Sequence, residues 1–122
     1  MKKRDVLIIE DDSNIARAEQ LILQKNYTVH LAKDGEEGFQ KAKQIKPSLI
    51  ILDVMLPKID GFTLCRNIRL DSSLSSTKII MVTAKNEERD ENKGMDLGAD
   101  DYIMKPFEPQ ELMHVVEQIL NI

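Results

Sequence analysis

Short apolar runs alternate with longer amphipathic stretches along the whole chain. Val6-Leu7-Ile8-Ile9, Leu49-Ile50-Ile51-Leu52 and Ile79-Ile80-Met81-Val82 are unbroken runs. Such runs predict strands covered on both faces. Thr28 to Leu31 and Tyr102 to Met104 predict two shorter strands. Between these runs the period changes from two to that of a helix. Ile15, Ala18 and Ile22 share one face of a helix predicted over residues 14–25. Asp34-Gly35 turns the chain into a helix over residues 36–44, and Pro47 separates it from the third strand. Asp60 is a good N-cap for a helix reaching Leu70. A polar loop over 71–77 leads to the fourth strand. Residues 87–97 predict a charged helix with a thin apolar face. After Pro109, a residue suited to a first helical turn, Leu112, Val115, Val116, Ile119 and Leu120 form a strong stripe.

The pattern repeats strand then helix five times, which predicts an α/β doubly wound fold with a parallel sheet. No linker, repeat or low-complexity segment divides it, so residues 1–122 read as one domain. In this architecture, sites form at the carboxyl ends of the strands. Glu10, Asp11 and Asp12 follow the first strand, and Asp53 follows the third. Thr83 and the small Ala84 follow the fourth, and Lys105 and Pro106 follow the fifth.

Any one of these acidic residues alone is more often a helix cap. Their joint placement at successive strand ends points to chemistry instead. Two carboxylates about 4 Å apart repel by roughly 4 kcal/mol at an effective dielectric near 20. Lys105 supplies one positive charge, and a cation would relieve the rest. Oxygen ligands without His or Cys favour a hard divalent ion, Mg2+ foremost and Mn2+ next. An aspartate beside such an ion, a lysine and a hydroxyl donor is arranged to attack a phosphoryl group. Thr83 would donate to a phosphoryl oxygen, and Ala84 would leave room for it.

Charge and composition narrow the function classes. The net charge is −4 with no contiguous basic patch, so the chain itself is not expected to bind nucleic acid. No apolar stretch is long enough to span a membrane, and Met1-Lys2-Lys3-Arg4 is not followed by a secretory pattern. The single cysteine, Cys65, reads as a small buried hydrophobe and is compatible with a reducing compartment. His30 and His114 have no evident metal partners and read as surface or packing residues.

The residues at these positions resemble the receiver domain of two-component response regulators. The resemblance runs from Val6 to Leu120. It is carried by Leu7-Ile8-Ile9-Glu10-Asp11-Asp12, Ile51-Leu52-Asp53-Val54-Met55-Leu56-Pro57, Asp60-Gly61, Val82-Thr83-Ala84, and Gly98-Ala99-Asp100-Asp101-Tyr102-Ile103-Met104-Lys105-Pro106-Phe107. It implies a flavodoxin-like (βα)5 fold with a five-stranded parallel sheet ordered 2-1-3-4-5, the order the chemotaxis regulator exemplifies.

The resemblance also implies roles. Asp53 would be the phosphoacceptor. Asp11 would ligate the metal directly, Glu10 through water, with Asp53 and the Met55 backbone carbonyl completing the protein ligands. Lys105 would contact the phosphoryl group, and the Lys105-Pro106 bond would be cis. Asp12 would face solvent. Thr83 and Tyr102 would form the switch pair, changing the surface of the fourth helix, fifth strand and fifth helix. Ala84, Met55 and Lys85 would tune phosphoryl lifetime. The implied partners are a sensor histidine kinase or phosphotransfer protein and an output domain or target protein. The implied location is the cytoplasm. The implied activity is self-phosphorylation and dephosphorylation without separate substrate turnover. A homodimer through the same surface is a further expectation, but Val115 stands where the winged-helix branch commonly has an arginine.

Rival readings fit less well. A haloacid-dehalogenase-type phosphatase needs an acid two residues after its nucleophile, where Met55 cannot transfer a proton. A flavin mononucleotide carrier would want backbone donors after the first strand, where Glu10-Asp11-Asp12 would repel phosphate. A degenerate receiver acting as a phosphorylation-independent interaction module is the remaining alternative.

Overall fold

The apolar runs of the sequence form the five strands of a parallel sheet: β1 (Asp5–Ile9), β2 (Thr28–Ala32), β3 (Leu49–Asp53), β4 (Lys78–Ala84) and β5 (Asp101–Lys105). The computed structural model describes residues 2–84 and 97–121. The order across the sheet is β2-β1-β3-β4-β5, the expected doubly wound arrangement. Four helices pack on it among the described residues: α1 (Ser13–Leu23), α2 (Gly35–Ile45), α3 (Gly61–Leu70) and α4 (Pro109–Leu120). Residues 87–96 of the predicted charged helix lie outside the described residues, and Leu97 sits in a turn.

Alternate side chains of each central strand enter different cores, as the pleat requires. Leu7, Ile9, Ile50, Leu52, Ile79 and Met81 pack on one face with Ala42 of α2 and Leu64, Cys65 and Ile68 of α3. Val6, Ile8, Leu49, Ile51, Ile80 and Val82 pack on the other with Leu23 of α1 and Leu112, Val116 and Leu120 of α4. Both faces are therefore dry, which explains the unbroken apolar runs.

Acidic residues start the helices. Asp12 accepts from the Asn14 and Ile15 amides, Asp34 from Glu37, and Asp60 from Thr63. Glu108 and Glu111 form a reciprocal capping box at α4. Each such cap satisfies backbone donors that the helix leaves open and contributes about 1 kcal/mol.

A polar clasp ties α3 to the segments that lead into β4 and β5. Arg69 donates to the carbonyls of Gly98 and Thr77 and to the Asp100 carboxylate, at 2.8, 2.7 and 2.6 Å. The same Asp100 oxygen accepts from the Ile79 amide at 2.8 Å. Gly98 has φ +105, and a Cβ there would strike the Arg69 side chain, so glycine fits both the backbone and the clasp. His30, on β2, pairs with Asp5 at 2.9 Å, a contact at the sheet's amino end.

Candidate functional site

The ladder brings the chemistry to one edge. Ile9 is level with Leu52, so Glu10, directly after β1, and Asp53, the last residue of β3, stand side by side. Asp53 is level with Val82, and Thr83 and Ala84 lie level with Met104 and Lys105. Glu10, Asp53, Thr83 and Lys105 thus fall within two residues of one another along the strand direction. The chain leaves β3 through a tight approach. Gly61, the first residue of α3, donates its amide to Val54 at 2.9 Å. A Cβ on Gly61 would collide with the Asp53 carbonyl and the Val54 Cα. Glycine is what allows α3 to begin directly against the site.

Lys105 bridges the two buried carboxylates. Its Nζ donates to Asp53 Oδ2 at 2.6 Å and to Glu10 Oε1 at 3.0 Å. The second Asp53 oxygen accepts from the Met55 amide at 2.8 Å, and the second Glu10 oxygen from the Asp12 amide at 3.1 Å. Both rotamers are held from two sides, so the Asp53 carboxylate is fixed in place before any reaction. Asp11 is exposed beside them, and one oxygen each of Glu10, Asp11 and Asp53 lies within 4.8 Å of the others.

Three carboxylates against one ammonium leave an excess of negative charge. Burial pushes the Glu10 carboxyl up, Asp53 adds to the rise, and the Asp12 amide and Lys105 oppose it. Burial pulls the Lys105 ammonium down, but bonding and attraction to Asp53 and Glu10 outweigh this and hold it above its usual range. The excess charge and the oxygen-only donor set fit a hard divalent cation.

Thr83 is buried and Tyr102 is half-buried against the α2–α3 core. Met55 donates its amide to Asp53, while the residue as a whole is 76% exposed. Asp12 faces outward as the α1 cap. The Lys105-Pro106 peptide is cis. Lys85 lies outside the described residues, as does the side chain of Ala84. Sequence reasoning overlooked Glu19 on α1, which is buried and lines a cleft together with Lys105. The available signal was its position four residues after Ile15, on the apolar stripe.

The chain has many relatives. The family model described as "Response regulator receiver domain" matches residues 6–117. PhoP of Bacillus subtilis, an alkaline phosphatase synthesis transcriptional regulatory protein, is 44% identical over 97% of this chain and 49% of its own. The response regulator ArlR of Staphylococcus aureus is 47% identical over 95% of this chain and 52% of its own. The chain therefore spans about half the length of the curated relatives it matches. Among solved structures, a Chloroflexus aurantiacus response regulator superposes with a TM-score of 0.95 at 39% identity, covering 99% of this chain and 100% of that one. The Vibrio cholerae chemotaxis regulator CheY4 gives 0.92 at 30% identity, covering 98% and 100%. The receiver domain of a Pseudomonas aeruginosa sensor histidine kinase, with a magnesium ion coordinated in its active-site cleft, gives 0.90 at 26% identity, covering 98% and 99%. Ladder, acidic edge and family match agree: the chain belongs to the response regulator receiver domains of two-component signalling.

Proposed function

We propose that Asp53 accepts a phosphoryl group, with Mg2+, from a sensor histidine kinase or phosphotransfer protein. The observation that carries this is the paired, immobilised Asp53 carboxylate inside an acidic, oxygen-only cluster bridged by Lys105. An Asp53 oxygen forms the new bond to phosphorus as the bond to the donor's histidine nitrogen breaks, and the freed imidazole takes up a proton from solvent. Lys105 offsets the charge gathered on the transferred oxygens as the phosphoryl group arrives. Asp11, Glu10, Asp53 and the Met55 carbonyl would hold the Mg2+, or Mn2+ in its place. The bound ion would supply charge neutralisation for the incoming phosphoryl group. The chain acts on itself and turns over no separate substrate.

The output is a population shift. A phosphoryl group at Asp53 draws the Thr83 hydroxyl toward it, and Tyr102 turns into the space released. The states separate only as far as the phosphoryl group binds one better than the other. The surface of β5 and α4, with the helix that the sequence predicts over 87–97, would then present the change to an output domain, a target protein or a second copy. Val115 lies on α4 within that surface and carries no charge for a pairing with the 87–97 segment. PhoP, named a transcriptional regulator, makes transcription one such output. Met55, two residues after the acceptor, and Ala84 and Lys85, which follow Thr83, set how long the phosphoryl group lasts. The setting is the cytoplasm; among the described residues no helix is long and apolar enough to cross a membrane.

Intact mass after incubation with acetyl phosphate tests the reading. Wild type should gain one phosphoryl group only with Mg2+, and Asp53→Asn should gain none. Equal uptake by Asp53→Asn would remove Asp53 as acceptor. No uptake by wild type, with rapid quenching and no response to beryllofluoride, would favour a phosphorylation-independent interaction module. Lys105→Ala should keep Mg2+ binding and lose most of the switch.

A further inference from the structure

α1 carries Ile15, Ala18 and Ile22 along a cleft, and Glu19 interrupts that apolar stripe. The cleft measures about 340 Å3 and is closed by Phe107, Pro109 and the side chain of Lys105. Glu19 is only 3% exposed, and its Oε2 has no hydrogen-bond partner among the described residues. A buried carboxylate oxygen without a donor is costly, so a leucine would be the cheaper residue at this place. Lys105 is shared between two neighbourhoods. It lines the cleft beside Glu19, and it donates to Asp53 and Glu10 at the acidic edge. Lys105 on β5 and Asp53 on β3 are the charged groups that act on Glu19, and the remaining lining is apolar. Burial pushes the Glu19 carboxyl up to about 7, with Lys105 pulling it down and Asp53 pushing it further up.

The two bonds of Lys105 go to Glu10 and Asp53, two of the three carboxylates that could hold a divalent cation. A cation in the acidic cluster competes for those carboxylates and repels the ammonium. Neither the backbone nor the apolar lining offers the ammonium another anion, but Glu19 does. We propose that Glu19 is the alternative counter-ion of Lys105. It takes up the ammonium across the cleft when Glu10 and Asp53 turn their oxygens to the metal. Glu19 is thereby a positioning residue for phosphoryl transfer, acting through Lys105. The inference rests on the metal reading given above.

Calorimetric titration with Mg2+ alone tests it, on wild type, Glu19→Gln, Lys105→Gln and the double variant at about pH 8, where most of the Glu19 carboxyl is ionised. Glu19→Gln should weaken Mg2+ binding about fivefold, the low end of coupling between neighbouring sites. The same substitution should change nothing once Lys105 is gone. A nitrogen-15 NMR spectrum of the lysine side chains gives an independent reading. In Mg2+-saturated wild type the Lys105 ammonium protons should stay protected from exchange, and in Glu19→Gln they should be lost. Equal protection and equal affinity in the two proteins would overturn the inference while leaving the metal reading intact. A fivefold loss that persists without Lys105 would also overturn it, as Glu19 would then act as a bare charge. The absence of saturable Mg2+ binding in wild type would overturn both.

Discussion

Among the described residues, the Arg69 clasp and the acidic edge both set a cation against carboxylates, to opposite effect. In the clasp, Arg69 faces a single carboxylate, Asp100, and its remaining donors go to the Gly98 and Thr77 carbonyls. The Asp100 oxygen in turn accepts from Ile79. Charges balance one to one and every named contact is a charge-assisted bond. At the acidic edge, Lys105 faces Glu10 and Asp53 with Asp11 beside them. Negative charge is in excess there, and Glu10 is pushed up as a result. A balanced cluster is finished and holds elements together. An unbalanced one leaves charge that the fold itself does not neutralise, which marks it as a candidate site.

The largest effect expected from this contrast is in the clasp. Arg69→Met keeps the apolar stem but leaves Asp100 and two carbonyls without their donor. Loss of one partner from a buried pair costs 3–5 kcal/mol, and partial exposure here reduces that to about 3 kcal/mol. Urea unfolding should show the loss, while phosphoryl uptake by the folded fraction stays normal. A variant as stable as wild type would remove the structural half of the comparison.

A smaller effect is expected from pH. Glu19 titrates near 7 in the folded chain, against 4.5 for an ordinary glutamate. The raised value means that its contribution to stability is fully present below about pH 4.5 and is lost as pH rises through 7. Glu10 is raised too, so its contribution changes in the same direction. With 1.36 kcal/mol per pKa unit, Glu19 alone should lower stability by about 2–3 kcal/mol across that window. Denaturant midpoints of wild type should therefore fall from pH 5 to pH 8, and Glu19→Gln should fall less. Parallel curves for the two proteins would show that Glu19 ionises without strain.

These clusters differ in how legible they are in the sequence. The acidic edge could be read because each member directly follows an apolar run. The strand predictions ended where hydrophobicity ended, yet β3 continues through Asp53, β4 through Ala84 and β5 through Lys105. Ladder hydrogen bonds use the backbone and are indifferent to side-chain polarity, so the strands run on into the site. Asp53, Thr83 and Lys105 are therefore strand residues, while Glu10 and Asp11 directly follow β1. The clasp could not be read. Arg69 and Asp100 lie 31 residues apart, and only the tertiary fold brings them together. Glu19 escaped because apolar positions were counted along α1 and an acid among them was passed over. Its stripe position already implied burial.

The smallest effect sharpens the comparison most. Asp53→Asn removes one charge from the overloaded edge and leaves Lys105 paired with Glu10. Without metal, relief of the Glu10–Asp53 repulsion should outweigh the lost Lys105 contact, for a net gain of about 1 kcal/mol at neutral pH. Mg2+ should reverse the ranking. A ligand that binds only the folded chain adds about 2.7 kcal/mol at a hundred times its dissociation constant. Wild type should gain that stability, and Asp53→Asn, lacking an anionic ligand, should gain far less. Thermal unfolding of both proteins with and without Mg2+ would show the crossing. If Asp53→Asn were the less stable protein under both conditions, Lys105 would already balance the edge, and the acidic cluster would resemble the clasp.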